Sequence, residues 1–217
     1  MDQIVSKIEQ KKIISICRKI YGEDILNLSK ALYRGGVSFL EVTFDQADPD
    51  CEEKTAETIA MLIQRFPEME FGAGTVLSVK QVLAAHQAGA KFIISPNTDT
   101  DVIRKTKELG MVSIPGAMTP SEIMTALNVG ADLVKLFPCS YLGTQYVKEI
   151  LSPLSHVKLV GTGGISLENL KSFLDVGIYG FGIGSFLASK KLIAEGNFAQ
   201  IEANAKAFMD IATQPKG

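Results

Sequence analysis

Three groups of residues in this 217-residue chain have types and spacings that could do chemistry. The first is Lys135, in the middle of the apolar run LVKLFP (133–138). Strand alternation puts Leu133, Lys135 and Phe137 on one face and Val134 and Leu136 on the other. Val134 and Leu136 suit packing against helices, so Lys135 faces a packed interior. There an ammonium must be ion-paired, reach the interior's mouth on its apolar stem, or lose its proton. The last option is reactive. At the ordinary lysine pKa near 10.4 only about one amine in a thousand is free at neutral pH, and each tenfold gain costs the ammonium ~1.4 kcal/mol. Apolar surroundings and neighbouring cations supply that penalty. A free amine attacks a ketone to give an imine, and the protonated imine draws electrons well enough to make or break a neighbouring carbon–carbon bond.

Such chemistry needs a proton carrier. In FLEVTF (39–44) the same alternation turns Phe39, Glu41 and Thr43 inward and Leu40, Val42 and Phe44 outward. Glu41 is then a second ionisable group in the same interior, fit to hold Lys135 in a salt bridge or to act as general acid/base on the carbinolamine and on the substrate. The third group is glycine-rich. Gly161-Thr162-Gly163-Gly164 and Gly182-Ile183-Gly184-Ser185 end the last two predicted strands, where backbone N–H groups can approach an anion unobstructed by a Cβ. Tight strand-to-helix turns also use glycine. A further cluster, Gly72-Ala73-Gly74-Thr75, offers close backbone approach and one hydroxyl.

Positioning these residues requires a repeating frame. Strand candidates lie at 13–18, 39–44, 70–76, 92–96, 112–117, 133–138, 158–164 and 180–185, with amphipathic helical stretches between them. Several helices open on a capping residue (Asp24, Ser78, Thr119, Ser166) and close on glycine (Gly35, Gly89, Gly110, Gly130, Gly177). About eight β-then-α units without a linker predict an α/β fold, a (β/α)8 barrel in one domain over residues 1–217, with an N-terminal helix. The rival is a doubly wound open sheet, but no glycine fingerprint follows the first strand. A barrel places functional residues at the C-terminal ends of its strands. Arg18, Glu41, Thr43, Thr75, Ser95, Lys135, Thr162 and Ser185 all fall there.

Composition narrows the class. At 46% apolar and 21% charged the chain can bury a large core, and a net charge of −2 argues against nucleic acid or an anionic membrane as partner. No apolar stretch is long enough to span a bilayer, and the N-terminus, mixed in charge and helical in pattern, is unlike a signal peptide. A cytoplasmic location is expected. Cys17, Cys51 and Cys139 are scattered, arguing against a disulfide framework or a zinc site. His86, within a predicted helix, and His156, in a turn before a strand, lack ligand spacing; carboxylates alone could still hold Mg²⁺.

Matching stretches in order along the chain carry a family likeness: LEVTF (40–44), GAGTVL (72–77), ISPN (94–97), IPGAMTPSE (114–122), VKLFP (134–138), TGGI (162–165) and IGSFL (183–187). With these the sequence resembles the class I 2-keto-3-deoxy-6-phosphogluconate (KDPG) aldolases, which often also cleave 4-hydroxy-2-oxoglutarate (KHG). The resemblance implies cleavage of a 2-keto-4-hydroxy acid to pyruvate and an aldehyde. It assigns the Schiff base to Lys135 and general acid/base work to Glu41. Thr75 would contact the pyruvyl carboxylate, Pro96 and Phe137 would wall the pocket, and the backbone at Thr162, Gly163, Gly164, Gly184 and Ser185 would face the distal phosphate or carboxylate. It further implies a homotrimer and no metal or organic cofactor.

One stretch departs from the pattern. Many relatives continue E-V-T-L-R-T, whereas this chain reads Glu41-Val42-Thr43-Phe44-Asp45-Gln46, with an acid in place of the arginine near the substrate carboxylate. Carboxylate binding would then rest on Thr75, backbone donors and Arg18, and an arginine ending the first strand also resembles the 2-keto-3-deoxy-6-phosphogalactonate aldolases. Two other readings stay open from the residues alone. One is a phosphosugar isomerase or epimerase barrel needing no imine; the other is a non-catalytic barrel that binds a phosphorylated metabolite.

Overall fold

A computed structural model of the chain describes residues 2–214. Residue 1 and residues 215–217, the two ends of the expected domain, lie outside the described residues. The chain opens on α1 (Asp2–Lys11) and then alternates: β1 (Ile13–Cys17), α2 (Gly22–Arg34), β2 (Phe39–Thr43), α3 (Cys51–Arg65), β3 (Glu70–Gly74), α4 (Val79–Gln87), β4 (Phe92–Ile94), α5 (Thr100–Glu108), β5 (Val112–Ile114), β6 (Gly116–Ala117), α6 (Pro120–Asn128), β7 (Val134–Leu136), α7 (Cys139–Leu151), β8 (Leu159–Thr162), α8 (Leu170–Asp175), β9 (Gly180–Ile183), α9 (Lys190–Ala194) and α10 (Phe198–Ala212). The strands are parallel and ordered β5-β4-β3-β2-β1-β9-β8-β7-β6. β5 and β6 are one predicted strand divided at Pro115, which has no N–H to give to a ladder. Its first half pairs with β4 and its second with β7, so this one segment closes the sheet into a barrel.

Alternation along the strands sorts the core into two. Leu40, Val42, Val134, Leu136 and Leu159 point outward into the layer shared with the helices. Ile14, Phe39, Phe92, Val112, Leu133 and Val160 fill the interior, where the Phe39 and Phe92 rings meet at 5.9 Å between centroids. Ile8 of α1 joins this inner cluster, with Ile4 and Val5 packed against it, so α1 stoppers the N-terminal end of the barrel. Burying such side chains is worth about 1.5–3 kcal/mol each. With that end packed shut, the open cavity lies at the other.

The helix ends follow the sequence in part. Ser78 and Thr119 cap α4 and α6, the Thr119 N–H donating in return to the Glu122 carboxylate, and Gly89, Gly110, Gly130 and Gly177 take the left-handed conformation after their helices. At α2 the helix starts two residues before Asp24, and the left-handed residue is Gly36 rather than Gly35. Ser166 opens a turn that leads into α8, whose cap position is Asn169. Among the described residues, no helix is long and apolar enough to cross a membrane.

Candidate active site

A cavity of about 750 Å³ opens at the C-terminal ends of the strands. Arg18 follows β1, Thr75 follows β3, Pro96 lies just beyond β4, Lys135 is central in β7 with Phe137 after it, and Thr162 ends β8. Gly163, Gly164, Gly184 and Ser185 complete the rim. All of these expected substrate-binding residues and Lys135 line the cavity, whereas Glu41, the other expected catalytic residue, does not. Its side chain is 1% exposed in the wall, against Gly74, at which an added Cβ would sit 2.4 Å from Glu41 Oε1. Thr43 and Ser95, also expected at this end, are buried and not part of the lining.

Lys135 and Glu41 are the charged members of the buried set. Burial pushes the Lys135 amine below its ordinary value; Glu41 opposes this and the Arg18 charge adds to it. Burial pushes the Glu41 carboxyl up, against the pull of Lys135 and Arg18. Among the described residues no hydrogen bond or ion pair within 4 Å joins the two, and Glu41 Oε2 is buried without a hydrogen-bond partner. The plain salt-bridge reading of Lys135 therefore fails on geometry. What remains is a pair of groups that burial shifts toward their neutral forms while each favours the other's charge, with the amine 5.1 Å from the centre of the Phe137 ring. Both shifts run toward the forms that aldol chemistry uses, an amine free to attack a carbonyl and a carboxyl able to donate a proton.

The glycine-rich rim is shaped by close approach. Gly163 and Gly164 both have positive φ (92° and 70°), and an added Cβ on Gly164 would lie 1.9 Å from Ser140 Oγ. Thr75 is more unusual, a β-branched residue at φ 56°. Such a conformation costs of order 1–3 kcal/mol and persists only where the surroundings enforce it.

Asp45, at the position where the family resemblance leads one to expect arginine, is not in the cavity lining. Its carboxylate meets Lys19 Nζ at 2.8 Å, and that hydrogen bond holds its pKa below the usual carboxylate range. The acid is thus compensated from the loop after β1, and the cations that line the cavity are Arg18, Lys135 and Lys190. Lys190, like Ile16, Ile165, Phe186 and Ser189, is a lining residue the sequence did not single out. Lys190 follows Ser185 by five positions, and only the fold shows that the intervening chain turns back to the rim. No three His, Cys, Asp or Glu side chains among the described residues converge in a way that could hold a metal ion.

Comparison with known proteins places this arrangement. Residues 4–204 match the family model of KDPG and KHG aldolases. A 2-dehydro-3-deoxy-phosphogluconate aldolase of Haemophilus influenzae is 32% identical over 211 residues, covering 96% of each chain. A 2-dehydro-3-deoxy-6-phosphogalactonate aldolase of Escherichia coli is 32% identical over 91% of this chain and 95% of its own. The crystal structure of a KDPG aldolase from Legionella pneumophila, with pyruvate captured as a covalent carbinolamine, superposes with a TM-score of 0.83 at 30% identity, covering 94% of this chain and 96% of that one.

Proposed function

The chain belongs to the KDPG and KHG aldolase family, and on that premise we propose the way in which its own residues perform class I aldol cleavage. The reaction splits a 2-keto-4-hydroxy acid, 2-keto-3-deoxy-6-phosphogluconate or 4-hydroxy-2-oxoglutarate, into pyruvate and glyceraldehyde 3-phosphate or glyoxylate. The Lys135 amine attacks C2 of the keto acid. The carbinolamine loses water, with a proton supplied by Glu41, and leaves an iminium on the lysine. The C3–C4 bond then breaks: its electrons enter the iminium to give an enamine, and the C4 hydroxyl gives up its proton to Glu41 as the aldehyde forms. Protonation at C3 and addition of water release pyruvate and regenerate the amine. Thr75 and Arg18 hold the carboxylate of the keto acid. Pro96 and Phe137 wall the reacting end. The backbone of Thr162, Gly163, Gly164, Gly184 and Ser185, with Lys190 beside them, takes the distal phosphate. The enzyme works as a homotrimer in the cytoplasm, with no metal or organic cofactor.

The observation that carries this reading is the buried Lys135, pushed toward the free amine and lining the cavity with no ion-pair partner among the described residues. Borohydride reduction in the presence of pyruvate tests it. One covalent pyruvyl addition on Lys135 is expected, absent in Lys135→Ala. An intact protein that traps no pyruvate overturns the reading. The same cavity, with an arginine at the end of β1, also suits 2-keto-3-deoxy-6-phosphogalactonate. Parallel assays on the two phosphorylated acids and the hydroxyoxoglutarate rank the substrates.

A further inference from the structure

Thr75 reaches the cavity from a backbone conformation that threonine rarely adopts, and a chain of amide contacts encloses it. The Gln46 side-chain Nε2 donates to the Thr75 carbonyl at 2.8 Å. Gln46 Oε1 accepts from Gln81 Nε2 at 3.0 Å, and Gln81 Oε1 accepts the Leu77 N–H at 2.8 Å. The segment from Thr75 to Leu77 is thus gripped on both sides through two linked amides, and the Val76 N–H between them donates to Ile94 O at 3.2 Å. The anchor of this grip is rigid. Gln81 is 4% exposed on α4, and its backbone N–H is bound by the Ser78 cap. We propose that Gln46, backed by Gln81, is a positioning residue for substrate binding: it holds Thr75 at positive φ so that the threonine hydroxyl meets the carboxylate of the keto acid. The proposal rests on the carboxylate-binding role given to Thr75 above.

Side-chain chemistry explains why glutamine suits this position. A primary amide can donate to one group and accept from another at the same time, which neither a carboxylate nor a shorter polar group at this distance can do. Gln46 follows Asp45 directly, so the turn after β2 carries an acid bound to Lys19 and an amide bound to Thr75. The stretch that departs from the family pattern is therefore tied to the carboxylate end of the cavity through Thr75.

Gln46 is exposed, so its variants should fold as the wild type does. In Gln46→Ala the pyruvate concentration for half-maximal borohydride trapping should rise roughly 5- to 10-fold, the size expected for one lost hydrogen bond in the path, with the maximal trapping rate within about twofold. Gln46→Glu keeps an acceptor for Gln81 but has no donor for Thr75, and should behave like Gln46→Ala. Combined with Thr75→Ala, Gln46→Ala should add nothing, because the hydroxyl it positions is already gone. Unchanged half-saturation in both Gln46 variants, or effects of Gln46→Ala and Thr75→Ala that multiply, would overturn the positioning role while leaving the aldolase reading intact. Failure of the wild-type protein to trap pyruvate would remove both.

Discussion

At the scale of single residues, Lys135, Glu41 and Arg18 form one electrostatic unit, and their shifts have signs that can be tested separately. Only the unprotonated amine attacks pyruvate, so the trapping rate falls as pH drops through the pKa of Lys135. The Arg18 charge pushes that pKa down and Glu41 pushes it up. Arg18→Met should therefore move the acid limb of the trapping profile to higher pH, and Glu41→Gln should move it lower, whatever each does to the plateau. Shifts in the same direction would contradict the coupling. Folding stability carries a related signature. Between the depressed Lys135 pKa and its ordinary value, the unfolded chain binds a proton that the folded chain does not, so stability rises with pH in that window. Lys135→Met should flatten this slope in thermal melts over the same range.

At the scale of elements, the frame was readable because hydrophobic period and punctuation agree. Strand alternation placed Lys135 and Glu41 inward, and the eight predicted strands appear in order, the fifth divided at a proline visible in the sequence. What could not be read depends on contacts between elements distant in the chain. The left-handed Thr75, the grip of Gln46 and Gln81 across 35 positions and the return of Lys190 to the rim have no local pattern. Nor does pattern say which glycines are demanded by packing. Two of them separate architecture from chemistry. At Gly35 an added Cβ would fall 2.4 Å from Ala205 Cβ and 2.7 Å from Glu202 O, forcing α10 away from α2. At Gly74 it would strike the Glu41 carboxylate itself. Each alanine variant should lose about 1–3 kcal/mol to overpacking in a denaturant titration. Only Gly74→Ala should also slow turnover in the fraction that remains folded; equal turnover in the two would mean Glu41 need not stay where it is.

At the scale of the whole molecule, charge is distributed unevenly. The chain has a net charge of −2, yet among the described residues the cavity lining carries Arg18, Lys135 and Lys190 and no carboxylate. Concentrating cations at one mouth of an otherwise acidic protein draws anions to that mouth and orients them on arrival. The cations also lie at different places: Lys135 within the barrel, Arg18 after β1 and Lys190 at the start of α9 beyond the glycine-rich rim. A six-carbon keto acid with a terminal phosphate can reach from Lys135 toward that rim. The shorter hydroxyoxoglutarate ends in a carboxylate attached directly to the carbon that becomes the aldehyde. Lys190→Ala should therefore lower kcat/KM for the phosphorylated acid by about 10-fold, as expected for loss of one charge-assisted hydrogen bond, and lower it much less for the dicarboxylate. The ratio of the two specificity constants is the measurement. If both fall together, Lys190 acts only through the general field of the cavity mouth, and raising the salt concentration should then abolish the difference between variant and wild type.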